Sequence, residues 1–182
     1  HSLLHTRPSL PPLIMTELQR NLLHRFMKYS SIPSQSKEGV FSVPSTPGQL
    51  LLAQMLKREL EEMEMEDISL SENGVLIAHL KGNYTSPTIG WISHLDTADI
   101  ALSPIVHPIL VEAYDGREII QEEGRHITLH TNPELEKHIG KDILFSDGRS
   151  VLGADNKAAI AIIMEALSIL IKNKDIPHGD IY

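Results

Sequence analysis

Two short stretches carry side chains that could do chemistry together. In Ile92-Ser93-His94-Leu95-Asp96-Thr97 an imidazole and a carboxylate stand two positions apart, and in Leu152-Gly153-Ala154-Asp155-Asn156-Lys157-Ala158 a second carboxylate follows a Gly-Ala pair. Residues two apart on a strand share a face, so Asp96 can sit beside His94 and hold its ring in one tautomer. Histidines that bind zinc commonly have such a carboxylate behind them. Asp155 stands just before a long helical pattern, where the partial positive charge of a helix N-terminus favours an ionised carboxylate. An oriented imidazole and an ionised carboxylate, each on a regular element, form a donor set for a borderline or hard divalent cation. Taken alone, His-x-Asp at a strand end also suits a structural pair, and Asp155 also suits a plain helix cap.

The elements that must position these groups are legible in outline. Thr88 to Ile92 is an apolar run that reads as a strand covered on both faces, ending at His94. Asn156 to Lys172 is apolar nearly all round and reads as a helix buried against a sheet. Thr16-Glu17-Leu18-Gln19 and Thr46-Pro47-Gly48-Gln49 both read as capping boxes, the second with proline where its missing N–H costs nothing. They open helices whose stripes are Leu18, Leu22, Leu23, Phe26 and Met27, then Leu52, Met55, Leu56, Leu60 and Met63. Glu59, Glu61 and Glu62 read as the solvated face of the second helix. Asn73-Gly74, two residue types that tolerate positive φ, predicts a hairpin between Ile68–Leu70 and Val75–Leu80, and Asp147-Gly148 predicts another between 143–145 and 150–152. Residues 98–117, with Pro104 and Pro108, read as irregular. Short strands are expected at 118–121 and 127–129, and one or two helical turns from Asn132-Pro133 to before Gly140. This alternation makes the chain α/β with a central, partly parallel sheet.

Composition excludes several classes. The 182 residues are 41% hydrophobic, enough for one domain with a core. Acids outnumber bases 24 to 16, a formal charge of −8, which argues against nucleic acid as a partner. With no cysteine there are no disulfides and no thiolate metal sites. The longest apolar run, Ala158 to Ile171, is too short to span a bilayer. A cytoplasmic protein is the expectation. His1 to Ile14 holds three prolines and no acid, lacks a signal-peptide core, and reads as a leader ahead of a start at Met15.

Beyond the two site stretches, the segments Leu22 to Tyr29, Ser34-Gln35-Ser36, Val43-Pro44-Ser45-Thr46, Leu70-Ser71-Glu72-Asn73-Gly74, Asp147-Gly148-Arg149 and Pro177-His178-Gly179-Asp180-Ile181 follow a recognisable order. Together they resemble the M20 family of cocatalytic metallopeptidases, and within it the tripeptide aminopeptidases, from about Glu17 to Tyr182. The resemblance implies a three-layer α/β/α domain with a mixed central sheet and a site of two metal ions, usually zinc. It implies that His94 binds one ion, that Asp155 bridges both, and that Asp96 is the catalytic residue that orients His94. It also implies a cis peptide bond after Asp155. The family usually has Asp where this chain has Asn156 and Gly where it has Ala159; neither position is a ligand. The substrate implied is a small peptide with a free N-terminus. Other M20 chemistries (dipeptidase, carboxypeptidase, N-acyl amino acid deacylase) share the same ligands, and a non-catalytic truncated homologue is a further reading. The family's Glu-Glu pair, a further Asp and His, and its lid domain have no counterpart in the sequence. Residues 15–182 are therefore expected to be the opening part of a catalytic domain, without activity by themselves. His126 and His130 have helical metal spacing, but Ile127, Thr128 and Leu129 favour a strand, on which they lie about 13 Å apart.

Overall fold

The fold is built around three helices, each started by a local signal in the sequence. The computed structural model describes residues 14–182, so the leader expected at His1–Ile14 lies, apart from Ile14, outside the described residues. Helix α1, Glu17–Ser30, opens on the expected capping box: Gln19 N donates to Thr16 Oγ1 at 3.2 Å and Thr16 N to Gln19 Oε1 at 2.8 Å. Helix α2, Pro47–Glu62, begins at the expected proline, but its Thr46 does not cap it. The Thr46 hydroxyl instead donates to the Gln35 carbonyl at 2.7 Å, and Gln49 Nε2 bonds the Ser45 and Thr46 hydroxyls. A carbonyl brought by the loop ahead of α2 outcompeted the helix for that hydroxyl. Helix α3, Ala154–Lys172, follows the predicted apolar run. Phe26 and Tyr29 from α1, Leu52, Leu56 and Leu60 from α2, and Ile160, Met164 and Leu167 from α3 are buried as one core.

Short antiparallel pairs decorate this core. Strands β1, Ser69–Leu70, and β2, Leu76–Ile77, form the expected hairpin, and of its two turn residues Gly74 takes the positive φ. Strand β3, Pro108–Val111, pairs with β6, Ile143–Ser146, and β4, Ile119–Ile120, with β5, His126–Ile127. The irregular reading of 98–117 is thus corrected at its centre. Pro108 starts its strand, a place where a missing N–H is tolerated. The hairpin expected around Asp147-Gly148 is also corrected, since β6 takes its partner from β3 and not from 150–152. Asp147 does turn the chain, accepting Arg149 N at 2.9 Å, but the returning segment heads for α3. Pro133–His138 is a 3-10 helix, as one or two turns before Gly140 required.

The described residues are therefore mixed α/β, with three separate two-stranded antiparallel sheets and no closed barrel. Parallel pairing is confined to two isolated bridges, Gln35 with Thr97 and Ile89 with Ile181. Ile181 also bridges Leu80 in the antiparallel sense, so it lies between the two as the centre of a small mixed ladder. The strand expected at Thr88–His94 is extended but not covered on both faces: the Ile92 residue is 94% exposed.

The clearest departure from the sequence reading is Glu59, expected on a solvated face and found 7% exposed. Its carboxylate accepts from Arg25 at 2.8 Å, Lys28 at 2.6 Å and the Tyr29 hydroxyl at 2.7 Å. Arg25 also reaches Glu165 of α3 at 2.8 Å, and Asn21 donates to the same carboxylate at 2.9 Å. Helical spacing alone put Glu59 beside Glu61 and Glu62; the cations of α1 drew it inward. Burial pushes the Glu165 carboxyl up, but hydrogen bonds from Arg25 and Asn21 outweigh it and hold the pKa below its ordinary value. Its ionised form therefore stabilises the fold above the ordinary glutamate range, and that contribution disappears as pH falls through the lowered pKa. Urea unfolding should show Glu59→Ala losing about 3–5 kcal/mol, as when one partner of a buried pair is removed. Glu61→Ala should stay within about 0.5 kcal/mol. In the same assay Glu165→Gln should be less stable than wild type at neutral pH and lose less on acidification.

Candidate metal centre

The site lies where the extended segment ending at His94 meets the start of α3. His94 Nε2 is 2.9 Å from Asp155 Oδ1, so the two expected ligands converge. On the other side of the ring, Nδ1 is 2.9 Å from the Asp96 carbonyl and 3.2 Å from Asp96 Oδ1. Both of those atoms only accept, so Nδ1 carries a hydrogen. Asp96 thus holds His94 in the orientation that its spacing suggested. Nε2 then faces a carboxylate, and the doubly protonated ring satisfies both sides. Burial lowers the His94 pKa, but the bond to Asp155, the Asp96 carbonyl and the two carboxylate charges outweigh it, so the net direction is upward. The site is open: the His94 side chain is 50% exposed and that of Asp155 93%.

Two packing devices bring the segments together. Ser34 Oγ donates to the Leu95 carbonyl at 2.7 Å, Thr97 N to the Ser34 carbonyl at 3.1 Å, and Ser36 N to the Thr97 carbonyl at 2.9 Å. Asp99 accepts from Gln35 Nε2 at 3.1 Å and Glu38 N at 2.7 Å. At the other segment, Gly153 has φ +74 and a Cβ there would stand 3.2 Å from Thr97 Cγ2. Asp155 and Asn156 depart from helical dihedrals, and the peptide bond between them is cis, as the family resemblance implies. Ser93 Oγ reaches the Asn156 carbonyl at 3.4 Å.

Lys157 is the residue that sequence reasoning passed over. It is 1% exposed, and its ammonium donates to the Ile32 carbonyl at 2.8 Å, fixing the first turn of α3 to the loop after α1. Burial lowers its pKa to about 8. The available signal was a lone lysine at the head of an otherwise apolar helix. Away from the site, His126 pairs with Glu118 at 2.8 Å, and the backbone N–H of His178 donates to Asn83 Oδ1 at 2.9 Å. Among the described residues no group of three or more His, Cys, Asp or Glu side chains is arranged to hold a metal ion.

With this geometry in place, comparison with known proteins is decisive. No family model matches the chain. Peptidase T of Bacillus subtilis (strain 168) is 42% identical over 168 residues, 90% of this chain and 41% of the relative. Peptidase T of Photobacterium profundum is 44% identical over 164 residues, 88% of this chain and 40% of the relative. That of Escherichia fergusonii is 45% identical over 163 residues, 88% of this chain and 40% of the relative. The chain belongs to the peptidase T family. It spans about two fifths of the length of the peptidase T relatives that it matches. The matched share takes in nearly all of the described residues, so the His94–Asp155 contact is set in a peptidase T framework and not in a borrowed motif.

The Gly153–Thr97 contact yields a direct check on how the two segments are held. Gly153→Ala should lose about 1–3 kcal/mol in thermal or urea unfolding, from a left-handed backbone and a crowded methyl together. Gly124→Ala has a similar φ of +70 but meets open space, so it should lose less. Adding Thr97→Ser to Gly153→Ala removes the crowded methyl and should recover part of the difference.

Proposed function

We propose that this chain supplies the His94–Asp155 part of a dinuclear zinc centre in an aminopeptidase of the peptidase T kind, which releases the N-terminal residue of tripeptides. The observation that carries the reading is the 2.9 Å approach of His94 Nε2 to Asp155 Oδ1, with Asp96 behind the ring. The donor set fits a zinc ion: with the Nδ1 hydrogen held by Asp96, loss of the Nε2 proton would leave that lone pair for a metal, and the exposed Asp155 carboxylate has a second oxygen to offer. His94 and Asp155 are the ligands, and Asp96 is a positioning residue. When bound, zinc would polarise the scissile carbonyl and lower the pKa of a water. Asp96 keeps the ring hydrogen on Nδ1 and prevents the imidazole from rotating away, so that Nε2 would be the nitrogen to hold an ion.

The finer architecture in this reading is the three-layer α/β/α domain with a mixed central sheet. It is supported by Ile181, antiparallel to Leu80 and parallel to Ile89, above a floor formed by α2 and α3. The partner is a small peptide, in a cytoplasmic setting. The charge of −8 and the absence of cysteine agree with this, and no helix of the described residues is long and apolar enough to cross a membrane.

Two candidate ligands are few for two ions, which sets the expected behaviour of this chain alone. Zinc titrated into the purified chain against a chelating dye should bind weakly. His94→Ala and Asp155→Ala should abolish that binding, and Asp96→Asn should weaken it by roughly 10–100-fold. With zinc and a tripeptide the chain alone should show no turnover, while a chain extended to the length of its relatives should. Comparable turnover by both, lost in the shorter one on His94→Ala, would overturn the assignment of ligands.

A further inference from the structure

The helical period gathers polar side chains on one stripe of α1 and one stripe of α3, and a cleft is built between them. Asn21, Arg25 and Lys28 share a face of α1, and Glu165, Ser168 and Lys172 share a face of α3, because residues three, four and seven apart lie over one another. Together with the end of α2 they line a cleft of about 540 Å³, a usual size for a small-molecule site. Ser168 lies roughly 20 Å along α3 from Asp155, so the cleft is remote from the candidate metal centre. The two buried acids in its floor are already answered. Glu59 accepts from Arg25, Lys28 and Tyr29, and Glu165 accepts from Arg25 and Asn21. The donors are not. A guanidinium carries N–H groups on all three nitrogens. Arg25 uses Nε and Nη1, while Nη2 has no partner among the described residues. The Ser168 residue is 5% exposed, and its hydroxyl has no partner among the described residues either. Leaving buried donors without an acceptor is costly, so a cluster of them marks a place where an acceptor binds.

We infer that this cleft binds a small organic monocarboxylate, with its oxygens on Arg25 Nη2, the Ser168 hydroxyl and the Lys172 ammonium. The sign of the ligand follows from the charges. Set against Glu59 and Glu165, the cations Arg25, Lys28 and Lys172 leave one positive charge unanswered. Two further acids in the lining, Glu62 and Glu64, are exposed. Water and salt screen them, yet they oppose a dianion or a polyanion, so a single negative charge suits the cleft better than a phosphate. A carboxylate also matches the edge of a guanidinium, and bonds from charged donors are the strong ones. Met63 and Ile171 are half-buried in the same lining, and a short aliphatic body on the ligand would cover them. Such a ligand joins the three helices at the guanidinium that already ties them, so it stabilises the fold as a whole. The inference depends neither on metal binding nor on peptidase activity.

The test is to titrate the full chain with isovalerate in metal-free buffer, following amide chemical shifts and the thermal midpoint. The expected result is saturable shifts centred on Arg25, Ser168 and Lys172, and a midpoint that rises with isovalerate concentration. Isovaleramide, which has the same body without the charge, should bind at least about tenfold more weakly. Acetate, which has the charge without the body, should bind several-fold more weakly. Ser168→Ala should weaken isovalerate binding about tenfold and Lys172→Gln a few-fold. Alanine and glutamine both suit a helix, so these variants keep the fold. His94→Ala should leave isovalerate binding unchanged, which separates the cleft from the metal centre. Absence of saturable shifts overturns the inference, since water then suffices for the free donors. So do equal binding of the amide, tighter binding of inorganic phosphate, an unaltered affinity in Ser168→Ala, or shifts centred on His94 that vanish in His94→Ala.

Discussion

One guanidinium holds the three helices in a single arrangement. Arg25 of α1 binds Glu59 of α2 and Glu165 of α3 with bonds of 2.8 Å each. A planar fork with fixed donors imposes direction as well as attraction, which a hydrophobic interface alone does not. The observed arrangement of α1, α2 and α3 brings both carboxylates to Arg25 and leaves none of these buried charges unpaired. Lys28, Asn21 and the Tyr29 hydroxyl then satisfy the remaining oxygens.

What that arrangement does for function is to fix the head of α3. Its first turn carries Asp155, and the helix cannot slide once Glu165 is held near its middle and Lys157 is tied to the Ile32 carbonyl near its start. The opposing segment is fixed independently by Ser34, Ser36 and Asp99. His94 and Asp155 therefore meet as the ends of two separately anchored pieces. This division of labour suits a metal centre, whose ligands must hold their geometry before the ion arrives. It also explains how side chains so exposed can be well oriented: order comes from the backbone on either side and from Asp96.

The same framework leaves one side unfinished. The three helices close a core beneath the mixed ladder, yet the ladder stops short of covering it, and an apolar floor lies open beside His94. The open apolar floor and the His94–Asp155 contact share that boundary.

The sequence by itself determined the local and chemical content: the capping box at Thr16, the three helices, the Asn73-Gly74 hairpin, and the pairing of His94, Asp96 and Asp155. These depend on short-range signals, namely side-chain period, caps, turn residues and spacing along one strand. Its resemblance to a known family anticipated the cis bond after Asp155, which no local propensity would suggest. Tertiary structure decided the rest. Glu59 reads as one of three acids on a wet face, and only the position of Arg25 and Lys28 made it the buried partner. Thr46 has the signature of a cap, but a distant carbonyl from Gln35 claimed its hydroxyl. Strand β6 could have folded back on 150–152 across Asp147-Gly148, yet Pro108–Val111 offered a longer match. In each case the outcome was set by a partner far away in sequence. Spacing cannot reveal such partners, because the free energy of a buried contact depends on where the rest of the chain has already gone.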